Sequence, residues 1–218
     1  MNMISRPFEL VMTIWISLIL LFVTSGLMAQ QAEPAFDLVK ADSPVYIYER
    51  WVTFPGKPDV QAREVKGDFV VASTIPKILE LLRDESRISD WQSHLDEFKV
   101  YPLTDSTWLE YSLHDIPWPM SDQEHFLRYE LKKIAADHEV VITFQSQEDS
   151  KLAPLNDSYT RLELAGSWHL VQVEPNRVNV SYRIFSTPSS IPRFLTDPIV
   201  RSNLMSTIKS LTKLAEGK

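Results

Sequence analysis

The chain has 218 residues, of which 44% are hydrophobic and 23% charged, so it reads as a globular domain near the upper size for a single core. Its net charge of −7, with no basic run, excludes a nucleic-acid partner and argues against strong electrostatic docking on anionic membranes. It contains no cysteine, which excludes thiol catalysis, cysteine-ligated zinc and a lipid-modified cysteine anchor.

Residues 1–29 differ in kind from the rest. Arg6 lies in a short polar start, Leu10 to Val23 carries no charge, and Thr24, Ser25, Gly26 and an Ala29-Gln30 junction follow. This is the pattern of a secretory signal peptide cleaved near Ala29. An uncleaved anchor is the alternative, because the chain stays uncharged until Glu33 and that length spans a bilayer. Glu9 and the bulky Leu27 weaken the cleavage pattern. Either way the remainder is expected outside the cytoplasm, periplasmic or secreted, and membrane-anchored if the segment is retained.

Residues 30–43 read as a linker or short helix, and 44–216 as one ligand-binding domain. Val45 to Thr53 is a strand closed by Pro55-Gly56. Beyond Glu64, Val65, Gly67, Phe69 and Val71 share one face. The period then changes. Ile75, Ile78, Leu79 and Leu82 form a helical stripe, capped by Ser73 or Thr74 with Pro76 in the first turn. A loop or second short helix holds Trp91.

Alternation resumes at Leu109, Tyr111 and Leu113. After the Pro117-Trp118-Pro119 break it returns at Leu127, Tyr129 and Leu131, then at Val140, Ile142 and Phe144. Arg161 to Val173 and Val178 to Ile184 are two further strands. A last helix is expected from a cap at Asp197-Pro198, with Val200, Leu204, Ile208, Leu211 and Ala215 on one face. Ser190 to Leu195 reads as a separate short turn before it. About seven antiparallel strands with one apolar face must be covered by only two helices. A curved sheet wrapped around the terminal helix is the economical solution, and it tends to leave an interior cavity.

At this point the residues resemble a known family. The run Tyr111-Ser112-Leu113-His114-Asp115-Ile116-Pro117-Trp118-Pro119-Met120-Ser121-Asp122 is similar to the strand and Pro-Trp-Pro-x-Ser-Asp turn of START (StAR-related lipid-transfer) domains. Leu81-Leu82-Arg83-Asp84 with Trp91, and Ser189-Ser190-Ile191-Pro192-Arg193-Phe194-Leu195, resemble the family's first helix end and its entry into the last helix. Two departures stand out. Gln123-Glu124 replaces the family's Arg-Asp, removing a buried ion pair, and Ser186-Thr187-Pro188-Ser189 replaces its Asp-Pro-Gly-Gly. The resemblance covers residues 44–216. It implies an α+β helix-grip fold, a curved antiparallel sheet around a long C-terminal helix. It also implies an internal hydrophobic cavity for one lipid, sterol or comparable ligand, and no reaction.

The expected cavity residues are Leu109, Tyr111, Leu113, Tyr129, Leu131, Ile142, Phe144, Leu204 and Ile208; a solid core built from the same side chains is the alternative. Tyr111 and Tyr129 would orient a ligand's polar head in a cavity, or bond the backbone in a core. Trp118 is either a plug that fixes its turn or part of the entrance. Phe194 and Leu195 mark the hinge of a lid, where transient membrane contact would occur. None of the five histidines has metal-ligand spacing, and no nucleophile elbow is present. His114 and His125, flanking the Pro-Trp-Pro turn, keep an acid–base enzyme open as an alternative. A domain with a filled core, serving protein interaction, is another. The expected reading is a monomer that is not an enzyme, has no metal or cofactor, and takes a hydrophobic small molecule or lipid as its partner.

Overall fold

The computed structural model describes residues 33–118, 121–135, 138–187 and 191–218. The expected signal segment, Pro119 and the Pro188–Ser190 stretch lie outside the described residues.

In chain order the elements are β1 (Asp37–Asp42), β2 (Val45–Phe54), β3 (Lys57–Val71), helix α1 (Ile75–Leu81), a 3-10 turn (Ile88–Asp90), β4 (Leu95–Pro102) and β5 (Thr107–His114). They continue with β6 (Gln123–Ala135), β7 (Glu139–Ser146), β8 (Thr160–Arg161), β9 (Leu164–Glu174), β10 (Arg177–Ser186) and helix α2 (Arg193–Ala215). One curved sheet runs β1-β2-β3-β10-β9-β7-β6-β5-β4 with every neighbour antiparallel. The short β8 joins β6 in parallel off this path. The chain crosses from β3 to β4 through α1 and closes the sheet's middle late, when β10 pairs with β3.

The first strands and helix follow their local signals. Gly56 turns β2 into β3 with φ of 79°, a backbone state that costs glycine nothing. Thr74 caps α1 by accepting from the Lys77 N–H at 3.4 Å, with Pro76 in the first turn. Four elements differ from expectation. Residues 37–42 form an edge strand on β2, not a linker or helix. β4 and β8 bring the strand total among the described residues to ten. And α2 starts at Arg193, so Asp197-Pro198 lies inside a single continuous helix. Pro198 sits in its second turn. The bond it cannot donate would have gone to the Phe194 carbonyl, on a solvent-exposed residue.

The main core fills the concave face. Ile47, Val65, Ile142, Leu170 and Val180 of the sheet pack with Ile78 and Leu81 of α1 and with Ile208 and Leu211 of α2. Two glycines let these parts approach. A Cβ on Gly67 would overlap Ile208, and one on Gly166 would overlap both the Phe144 ring and the Arg183 carbonyl. On the convex face, Leu109 and Phe126 pack beneath Ala153 of the loop before β8, with Tyr101 and Tyr111 at the margin.

Ion pairs hold the other end of α2. Arg201 donates to both Glu49 oxygens at 2.8 and 2.9 Å, and Arg63 bonds the same carboxylate. Asp197 receives Arg63 at 3.0 Å, Arg193 at 2.9 Å and Arg201 at 3.3 Å. Burial works to raise the pKa of Glu49, but the Arg201 and Arg63 guanidiniums outweigh it and hold the carboxyl below its ordinary value.

At the opposite edge, the Val100 N–H of β4 is taken by the Glu85 carboxylate at 2.5 Å, and Lys99 pairs with Glu97. The Gly166 contacts give the fold a sharp test. Gly166→Ala should lower stability in urea by about 1–3 kcal/mol, because one of the two obstacles is backbone and cannot rotate away. A smaller loss is expected for Gly67→Ala, where only the flexible end of Ile208 must give.

Candidate functional site

Between the concave face and the N-terminal half of α2 lies a partly open cavity of about 270 Å³. Val65 of β3, Tyr182 and Ile184 of β10, Leu127 and Tyr129 of β6, and Phe144 of β7 form its apolar walls. Val200 and Leu204 of α2 form the roof. A void of about 20 Å³ adjoins its inner end, between Trp91, Trp108, Glu110, Tyr129, Ile142 and Trp168.

Of the expected cavity residues, Tyr129, Phe144 and Leu204 line the main space, and Ile142 lines the small void. Leu131 and Ile208 pack into the core instead. Leu109, Tyr111 and Leu113 are on the opposite face of β5. Tyr111 donates to Glu124 at 3.2 Å on the convex side, and Glu124 pairs with Arg161 at 3.0 Å. So the Gln123-Glu124 departure does not leave this position without a buried ion pair; it puts one on the convex face. Trp118 is 87% exposed, so it does not plug its turn, and Phe194 and Leu195 are 75% and 37% exposed.

The face of β5 that does meet the cavity is polar. Glu110, Ser112 and His114 point inward, opposite Gln123 and His125 of β6. The sequence singles out His114 and His125 only as an acid–base pair, and hydrophobic alternation passes over Glu110, Ser112 and Gln123, because Leu109, Tyr111 and Leu113 are the more apolar set. The signal available was the mirror pattern, a Glu, a Ser and a His at i, i+2 and i+4.

These side chains are sparsely satisfied. The Tyr129 hydroxyl donates to Glu110 at 3.2 Å, and Ser112 Oγ lies 3.4 Å from His125 Nδ1. The His114 and His125 rings are 5.1 Å apart. His125 Nε2 and the indole nitrogens of Trp91 and Trp108 find no hydrogen-bond partner among the described residues. The surrounding aromatic faces are covered by one another: Trp108 stacks on Tyr129 at 4.9 Å and Trp168 on Tyr182 at 3.7 Å. Among the described residues no group of three or more His, Asp or Glu side chains is placed to hold a metal ion.

The low dielectric of this wall suppresses charge. Burial pushes the Glu110 carboxyl up to about 8, against the Tyr129 hydrogen bond that favours its ionised form. Burial also lowers His114 to about 4, helped by His94, and His125 to about 3, helped by His114 and Arg161. Near neutral pH the wall is therefore polar but uncharged.

A stability profile follows from these directions. The histidines titrate near 6.5 when unfolded and much lower in the fold, so stability falls as pH drops from 6.5 toward 3. Glu110 titrates near 4.5 when unfolded and about 8 in the fold, so it costs stability progressively as pH rises from 4.5 to 8. Two histidine protons outweigh one carboxyl proton below 6.5, which puts the maximum near that pH. Glu110→Gln should remove the loss on the alkaline side, worth on the order of 5 kcal/mol at pH 9, and change little at pH 4. Thermal melts of both proteins from pH 4 to 9 check this; a variant that tracks the parent throughout contradicts it.

No family model matches the chain, and neither does any curated protein sequence. Solved structures do. The chain is similar to a STAR-related lipid transfer protein from Xanthomonas axonopodis, with 22% identity, a TM-score of 0.68, and coverage of 84% of this chain and 99% of that one. It is also similar to human StAR-related lipid transfer protein 5, at 12% identity and a TM-score of 0.71 over 98% of this chain and 99% of that one. The Zhui aromatase/cyclase from Streptomyces sp. R1128 matches at 15% identity and a TM-score of 0.54, over 71% of this chain and 94% of that one. With its ten-stranded curved sheet and long C-terminal helix, the chain has the START helix-grip fold.

Proposed function

We propose that this chain is an exported, non-catalytic carrier of one apolar small molecule held beneath α2. The observation that carries the reading is the hollow itself, about 270 Å³ between sheet and helix. Protein interiors are otherwise close-packed, and a hollow equal to about nine water volumes of roughly 30 Å³ each forfeits many dispersion contacts. A ligand restores those contacts and buries apolar area worth about 25 cal/mol per Å². The volume lies just under the roughly 300–1,000 Å³ of typical small-molecule sites. A ring-sized ligand therefore fits as the cavity stands, whereas a two-chain lipid requires α2 to move outward.

The roof is the part suited to moving. Its C-terminal half is seated in the core, while its N-terminal half spans the cavity and is fastened by the Glu49, Arg63, Asp197 and Arg201 ion pairs. The exposed Trp118, Phe194 and Leu195 offer apolar contact to a membrane when ligand is exchanged. Export rests on the charge-free stretch within residues 1–29.

An enzyme is the second reading, favoured by the meeting of Ser112, His125 and His114 in one wall. Chemistry weighs against it. Imidazoles held at about 3 and 4 are poor bases at neutral pH, where an efficient general base titrates near 7.

Native mass spectrometry of the purified full chain, followed by organic extraction, tests the carrier. The expected result is one apolar compound per chain. Protein that comes off bare and binds no apolar probe ends the proposal. For the roof, Arg201→Gln should speed deuterium exchange about tenfold in residues 193–203 and leave residues 208–215 unchanged. Uniform exchange along α2 in both proteins would mean the ion pairs fasten nothing.

A further inference from the structure

Resting on the carrier reading, a narrower statement concerns the ligand's chemistry. We propose that the inner end of the cavity recognises one uncharged ligand oxygen, a carbonyl or a hydroxyl, through the Glu110 carboxyl and the Trp91 indole N–H, and rejects anionic amphiphiles.

Three observations lead there. First, no Lys or Arg lines the cavity among the described residues, so an anionic head group would lie there without a counter-charge. Burying such a charge unpaired costs far more than burying a hydrogen-bonded neutral group. Second, two polar groups converge on the inner end with capacity to spare. Trp91 is buried and its Nε1 finds no acceptor, although an indole N–H can only donate. Glu110 is buried beside it, and one of its oxygens accepts from Tyr129. Because burial keeps Glu110 protonated near neutral pH, its second oxygen carries a proton to donate. Two donor-bearing residues that border the same space can be met by a single oxygen with two lone pairs. A group of this kind, a neutral acid held in an apolar site as a hydrogen-bond donor, is stable only without a neighbouring cation.

Third, the aromatic surfaces do not form a receptor for a ligand cation. Trp108 is covered on one side by Tyr129 and carries the Arg83 guanidinium 3.8 Å from its ring, and Trp168 is covered by Tyr182. A buried ammonium would give Glu110 a partner, but at Trp108 and Trp168 it would meet ring faces that are already covered. The uncharged oxygen is the better match. His125 Nε2, farther along the same wall, offers a second unfilled position for a polar atom on a longer ligand.

A matched series on one small skeleton tests this by equilibrium dialysis of the full chain at pH 7. The probes are 2-ethylnaphthalene, 2-acetylnaphthalene, 1-(2-naphthyl)ethanol, 2-naphthoate and 1-(2-naphthyl)ethylammonium. The ketone and alcohol should bind about tenfold more tightly than the hydrocarbon, and the carboxylate at least tenfold more weakly than it. Glu110→Leu should bring the ketone down to the hydrocarbon's affinity. Glu110→Gln, which keeps an N–H donor, should retain most of the preference, and Trp91→Phe should lose part of it while preserving the ring. Tightest binding by the carboxylate or the ammonium overturns the proposal, as does a ketone preference that survives Glu110→Leu. Equal binding of hydrocarbon and ketone overturns it too, but leaves the carrier standing. If no probe binds, the proposal falls; the carrier falls with it only if extraction also yields nothing.

Discussion

The structure depends on how one helix meets one broad sheet. α2 has 23 residues, so it is about 35 Å long at 1.5 Å per residue, and it crosses a concave face made by many strands. Alternate residues of β3 show how contact is made. Gly67 lets Ile208 press against the backbone, Val65 faces open space, and Arg63 reaches up to Asp197. The helix is thus seated at one end by the smallest residue and propped at the other by one of the longest side chains. The hollow lies between seat and prop. A bulky apolar residue in place of Arg63 would close it or break the ion pairs.

The same geometry explains why the cavity wall is mixed in character. Sheet and helix supply ample apolar surface, and the core needs no polar groups to hold it. Yet Glu110, Ser112, His114 and His125 are turned inward, while apolar neighbours on β5 face out beneath the loop before β8. Burying a carboxyl with a single hydroxyl partner costs stability. That cost is intelligible if the polar wall serves something other than the fold.

Much of the architecture was legible in the residues. The cap at Thr74, the face of β3, the inner faces of β6 and β7, and the apolar stripe from Leu204 to Ala215 all follow simple periodicities, because over most of each stretch apolar residues on the packed face alternate with polar ones on the other. β5 was misread because both its faces are buried, so its hydrophobic alternation no longer separates inside from outside. The edge strands β1 and β4 were missed because half-exposed strands carry charges in the pattern of loops. The start of α2 was misplaced because Pro198 has no partner to lose in a first turn and only one in the second; a proline alone does not distinguish them. The ion pairs that fasten α2 join residues as far apart as Glu49 and Arg201 and leave no local trace.

An open sheet also has rims, and an unguarded rim invites another strand to add to it. The β4 rim is guarded at successive positions. Its Val100 amide is already claimed by Glu85, its Lys99 and Glu97 would have to shed water to be covered, and Pro102 has no amide to offer. Sheet growth therefore halts at the strand nearest the polar wall. The flank beside the hollow thus offers an added strand few free amides.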